Sequence, residues 1–230
     1  MTVAQIDPVE SIPTPIPMDA GPKPRLRGWI HAAMFPLTVA AGLILILVAR
    51  GVAAKIGCAV FAATAVALFG TSATYHLGNW GPVWWGRLRR LDHSNIALII
   101  AGTYTPLALL LLPPRTAAVL LGAIWGGAGA AILIRMLWLN APRWSYVPIY
   151  IALGWTALWF LPQFWGSGAP VAVTWLVLAG GVAYTAGAVV YGLKRPNPWP
   201  GVFGFHEVFH ACTVAGFSCH FIAVAMAATR

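Results

Sequence analysis

Apolar and polar positions in this chain alternate in blocks rather than on helical faces. Seven continuous apolar stretches lie near residues 29–49, 56–77, 91–112, 117–139, 147–165, 171–193 and 202–227, joined by short connections rich in Pro, Gly and basic residues. Each matches the roughly 17 to 25 residues an α-helix needs to cross a hydrocarbon layer about 30 Å thick. The runs are continuous, whereas barrel strands would alternate apolar and polar residues, so they predict helices. The fifth carries Pro148 and Pro162 near its ends and Gly154 inside it, the least regular pattern of the seven. The expected fold is an all-α membrane protein, a seven-transmembrane helix bundle over residues 29–230.

Composition agrees with that pattern. Hydrophobic residues make up 60% of the chain and charged residues 8%, against about 25% charged in soluble domains. Residues 1–28 differ, holding six of the eighteen prolines and three of the five acids, Asp7, Glu10 and Asp19. They predict a disordered, Pro-rich cytoplasmic tail. The basic start, apolar run and small-residue cleavage site of a signal peptide are missing there, so the first membrane helix is expected to direct insertion.

Orientation follows from Lys and Arg in alternate connections. One side receives Lys23, Arg25, Arg27, Arg87, Arg89, Arg90, Arg135, Arg143, Lys194 and Arg195; the other receives Arg50, Lys55, Arg115 and Arg230. The N-terminus is therefore expected in the cytoplasm and the C-terminus outside. Basic loops beside an anionic leaflet account for the net charge of +9 without a nucleic-acid partner. Cys58, Cys212 and Cys219 form no metal-binding spacing and read as small packing residues. Trp residues near the helix ends read as interfacial anchors, and Pro36 and Pro106 as kinks in helices one and three.

Against this background the polar residues stand out. Ser72 and His76 share a face at the end of helix two, and Asp92 opens helix three. His206 and His210, four residues apart, share a face at the start of helix seven. All reach one layer near the expected cytoplasmic interface. Ionisable groups inside a bilayer are costly and mark function by default. Zinc explains the group economically, with His76, His206 and His210 as nitrogen ligands at about 2.0 to 2.1 Å. Asp92 would sit near the fourth position as a proton acceptor or water-mediated ligand, its charge favoured by the positive end of helix three. Ser72 would orient a ligand or donate to an oxyanion. The duller readings pair Asp92 with Arg89 or Arg90 and make Ser72 a close-packing residue. His31 and His93 read as interfacial hydrogen-bonding residues. His220 lies about 15 Å further along its helix than His210, and reads as an interhelical hydrogen-bonding residue.

His206-Glu207-Val208-Phe209-His210 also matches H-E-x-x-H, in which a metalloprotease glutamate acts as general base. It follows a proline-rich loop, however, and no second ligand segment of the site-2 protease type follows it. Glu207 projects about 100° from His206, toward the loop or a basic residue. A Ser72/His76/Asp92 triad lacks a strained elbow or Gly-rich oxyanion loop.

The order Ser72-x-x-x-His76, Leu91-Asp92-His93-Ser94 and Phe203-Gly204-Phe205-His206-Glu207-Val208-Phe209-His210 resembles the hemolysin III family. So does the approach to helix one, Lys23-Pro24-Arg25-Leu26-Arg27-Gly28-Trp29-Ile30-His31. That family is the bacterial branch of the progestin and adipoQ receptors, related to alkaline ceramidases. The resemblance implies a multi-pass protein of the bacterial inner or plasma membrane with a zinc site at His76, His206 and His210, and Asp92 and Ser72 beside it. Two functions follow as expectations. In one, a zinc-activated water attacks a lipid amide or ester, with Asp92 taking the proton and Ser72 supporting the oxyanion. In the other, zinc is structural and the protein senses or regulates the membrane's lipid state without turnover. Membrane lipids are the expected partners in both. Pore formation finds no continuous polar stripe to support it.

Overall fold

A computed structural model describes residues 23–138 and 141–230. Most of the expected disordered tail, and the expected end of the fourth helix at Leu139, lie outside the described residues. Among the described residues, seven spans are long and apolar enough to cross a membrane. They are α1 (Trp29–Val48), α2 (Val52–Leu77), α3 (Pro82–Leu111), α4 (Pro114–Leu137), a composite fifth span, α7 (Val171–Leu193) and α8 (Phe205–Ala228). Their outward faces are apolar, with Leu47, Val52, Leu137 and Trp159 among the most exposed side chains. That is the surface a lipid solvent requires.

The largest departure from the sequence reading is α3. It starts at Pro82, nine residues before the expected start, with Pro82 preorganised at its first turn. Arg87, Arg89 and Arg90 therefore lie on the helix rather than in a loop. Arg87 and Arg89 stack over Trp84 and Trp85, each 5.1 Å from the ring centroid, which lets an interfacial helix carry charge. The fifth span is broken into α5 (Arg143–Trp155), a 3₁₀ turn (Thr156–Phe160) and α6 (Leu161–Gly166). The break is satisfied from outside the span. Tyr104 of α3 donates from its hydroxyl to the Gly154 carbonyl at 2.7 Å and accepts the Ala157 N–H at 2.6 Å. Buried backbone groups freed by an irregular turn need such partners in a bilayer.

α3 is the central element, 72% buried over its apolar window, in contact with α2, α4, α5 and α8. α8 closes the bundle by packing on α7, α1, α2 and α3. Asn95 fixes one register, its side-chain amide donating to the Ala67 carbonyl of α2 at 3.0 Å. Asp92 lies one turn from Asn95 on the same face, so this bond aligns it with Ser72 and His76. Pro36 and Pro106 are inside α1 and α3. The three cysteines are free, and Cys58 is fully buried in the core.

Candidate metal centre

α2 ends and α8 begins at the same end of the bundle. His76 comes from the last turn of α2, and His206 and His210 from the first two turns of α8. One ring nitrogen from each falls within 4.8 Å of the others. The His76 and His206 Nε2 atoms are 3.2 Å apart. Two ligands of a tetrahedral zinc, each at 2.0 to 2.1 Å, stand roughly 3.3 Å apart. The spacing and the all-imidazole donor set therefore fit a metal ion of the zinc type, and this group could bind one.

Asp92 lies just beyond. Its Oδ2 is 3.9 Å from His76 Nε2, too far for a hydrogen bond and close enough for a water or substrate oxygen to join them. Ser72 lines the same end of the cavity as Asp92. The expected help from the helix end does not hold. With α3 starting at Pro82, Asp92 sits ten residues, or about 15 Å, inside the helix, beyond the first turn where the terminal dipole acts.

Several residues belong to this layer that the sequence assigned elsewhere. His31 of α1 was expected at the interface but is 2% exposed, stacked on His210 with ring centroids 3.8 Å apart and planes within 6°. Neither of its ring nitrogens has a hydrogen-bond partner among the described residues. His93 projects about 100° from Asp92, lines the same cavity and enters a polar cluster of neighbouring helices. Arg135 of α4 donates to its Nδ1 at 3.0 Å, and the Tyr191 hydroxyl lies 3.4 Å from its Nε2. Arg135 was counted among loop cations, yet it is 1% exposed and stacks over Tyr146 at 4.4 Å. A guanidinium in the last turn of a helix can turn inward when π faces and an imidazole receive it. Sequence periodicity carries no signal for that choice.

Glu207 is fully engaged. One carboxylate oxygen pairs with Arg27, and the other accepts the Gly204 N–H at 2.7 Å, as in a capping box. This is the basic partner expected for it, and it leaves the glutamate of the H-E-x-x-H pattern poorly placed as a general base. Arg27 lies in a strap that crosses the end of the bundle. There the Arg25 and Leu26 N–H groups bond the Gly201 and Val202 carbonyls at 3.0 and 3.1 Å. Gly28 lets the strap turn into α1 at φ 85°, with its missing Cβ position 2.7 Å from His76 Cβ.

A cavity of about 140 Å³ opens from this layer into the bundle. Ser72, Asp92, His206 and His210 line one end, and Tyr184 and His220 the other, with mostly apolar walls between. His220 makes the expected interhelical bond, its Nε2 3.1 Å from the Val177 carbonyl of α7.

Comparison with known proteins places this architecture. The Haemolysin-III related family pattern matches residues 21–221. The chain belongs to the hemolysin III family. Among hemolysin III relatives, Hemolysin-3 of Bacillus cereus is 29% identical over 134 residues, covering 58% of this chain and 58% of that protein. A Hemolysin-3 homolog of Bacillus subtilis is 26% identical over 137 residues, covering 60% and 61%. The chain thus spans about three fifths of the length of these bacterial relatives. Heptahelical transmembrane protein ADIPOR2 of Oryza sativa subsp. japonica is 30% identical over 187 residues, covering 72% of this chain and 79% of that protein. Membership of the hemolysin III family and the seven apolar spans make this a multi-pass membrane protein, and a cell-membrane location fits it.

Proposed function

We propose that this protein is a zinc-dependent hydrolase of lipid amide or ester bonds, working inside the membrane at the cytoplasmic end of the bundle. The observation that carries the reading is a three-imidazole group with a carboxylate just beyond it, both at the mouth of an apolar cavity. His76, His206 and His210 would hold the ion. A structural zinc is closed by four protein ligands, whereas a catalytic one keeps a position open. Three converging nitrogens with Asp92 at 3.9 Å favour the open form.

When bound, zinc supplies Lewis-acid polarisation of a carbonyl and makes a water more acidic. The remaining work falls to the chain. Asp92 takes up the proton at its carboxylate and returns it to the leaving amine or alcohol. Ser72, beside Asp92 at the same end of the cavity, orients that carboxylate and offers its hydroxyl to the developing oxyanion. The isoleucine-rich wall from Ile96 to Ile100 holds the hydrocarbon chain and excludes bulk water. Lipid reaches the cavity laterally, between helices.

A second reading keeps the metal without turnover. Its support is that the three ligands join α2 to α8, so an ion there would tie two spans together and make the bundle responsive to lipid. The deciding experiment uses protein purified without chelators and quantifies both zinc content and hydrolysis of acyl amides and acyl esters. Hydrolysis that falls roughly 100-fold or more in Asp92→Asn, with zinc retained near one per chain, is the expected result. Zinc retention with no hydrolysis of either substrate class by the unaltered protein would defeat the hydrolase reading and favour the second.

A further inference from the structure

The far end of the cavity is polar again, and the metal chemistry does not use it. His220 lies ten residues beyond His210 on α8, about 15 Å along the axis, and lines the same cavity together with Tyr184 of α7. The His220 Nε2 is 3.1 Å from the Val177 carbonyl. A carbonyl only accepts, so Nε2 carries the proton and the neutral ring presents Nδ1 as a bare acceptor. That Nδ1 and the Tyr184 hydroxyl are both buried without a hydrogen-bond partner among the described residues. The pair is built by reciprocal packing. A Cβ on Gly216 of α8 would meet the Tyr184 ring at 2.7 Å, and one on Gly180 of α7 would collide with the His220 ring. The two rings lie 5.5 Å apart at 49°.

Buried polar atoms are seldom left unpaired, so a partner belongs there. The cavity, at about 140 Å³, is on the order of ten times the space one water needs. Between its polar ends stand Ile96, Ile99, Ile100, Val147 and Ile151, a wall that suits a hydrocarbon chain better than a file of water. Because Nδ1 is an acceptor only, its missing partner must be a donor. A ketone or an ether does not serve.

We infer that the cavity takes an amphiphile with two polar ends, the second a hydrogen-bond donor such as a hydroxyl, received by His220 Nδ1 and the Tyr184 hydroxyl. The inference rests on the proposed lipid reading for the identity of the ligand, and it requires no turnover. It is tested on the full chain in detergent, using displacement of a fluorescent fatty acid by three fatty acids of equal chain length. One ends in a methyl group, one carries an ω-hydroxyl and one an ω-methoxy group. The ω-hydroxy acid is expected to bind at least five-fold more tightly than the ω-methoxy acid, which has the oxygen but no donor. Tyr184→Phe keeps the ring on Gly216 and should weaken binding of the ω-hydroxy and ω-methoxy acids alike, relative to the methyl-ended acid, without changing thermal stability; His220→Phe should abolish the hydroxyl-over-methoxy ratio. Equal binding of the ω-hydroxy and ω-methoxy acids by the unaltered protein would overturn the inference and leave the two atoms to water alone. The metal-free His76→Ala variant separates this outcome from the hydrolase reading. A retained hydroxyl preference there supports the subsite even if no hydrolysis is ever seen, and loss of the preference there while hydrolysis holds in the unaltered protein counts against it.

Discussion

His31 and His210 show how much a single side chain's place depends on residues far away in sequence. The spacing of His206 and His210 announces a shared face, and His76 is the natural third nitrogen at that depth. All three converge. His31 gives no such signal, because its stacking partner is on the last helix and only packing joins them. Replacing His206 or His210 by Ala should remove bound metal and lower Tm in detergent, measured by elemental mass spectrometry and a thermal shift; full metal content in both variants would defeat the proposed site. His31→Phe should keep metal, since an aromatic ring still braces His210. His31→Ala should weaken zinc binding measurably in a competition titration, because His210 loses that support. Equal zinc affinity in the two would mean the stack positions nothing. At this scale the sequence was misleading for Arg135, whose charge suggested a loop and whose side chain is buried against Tyr146 and His93.

Among the elements, hydropathy located every span, and the differences fall at ends and breaks. α3 extends over three arginines because their aliphatic stems and the Trp84 and Trp85 rings tolerate an interface that hydropathy alone reads as loop. The fifth span breaks beside Gly154, as its sequence hinted, but what satisfies the break is Tyr104 on another helix. The strap before α1 is held to the start of α8 by Arg27 and Glu207, whose side chains are 17% and 1% exposed. Removing one partner of a buried pair costs about 3 to 5 kcal/mol, and the partial exposure of Arg27 sets Glu207→Gln near the lower end. Adding Arg27→Met to that variant should recover much of the lost Tm, since no charge is then left unpaired; a double variant no more stable than the single one would show that the pair holds the strap in some other way. Gly28→Ala should also destabilise this end, by at least roughly 1 kcal/mol from the left-handed backbone alone, with a further loss of metal because the added methyl meets His76.

For the molecule as a whole, the apolar exterior and the basic asymmetry set the expected placement in the membrane. Reporter fusions at the N- and C-termini should place the first in the cytoplasm and the second outside, and the reverse result would overturn the charge-based orientation. A ligand that binds only the folded bundle stabilises it by about 2.7 kcal/mol at one hundred times its dissociation constant. Chelation should therefore lower Tm in the unaltered protein and leave His76→Ala unmoved. The sequence by itself determined the seven spans and brought His76, His206, His210, Asp92 and Ser72 to one end of the bundle, because lipid demands long apolar helices and penalises each exception to them. Tertiary structure alone decided that His31 and Arg135 turn inward and that one cavity joins the metal layer to His220. Those outcomes depend on which helix faces meet, and facing is set by packing between residues far apart in the chain, which a linear pattern of hydropathy does not record.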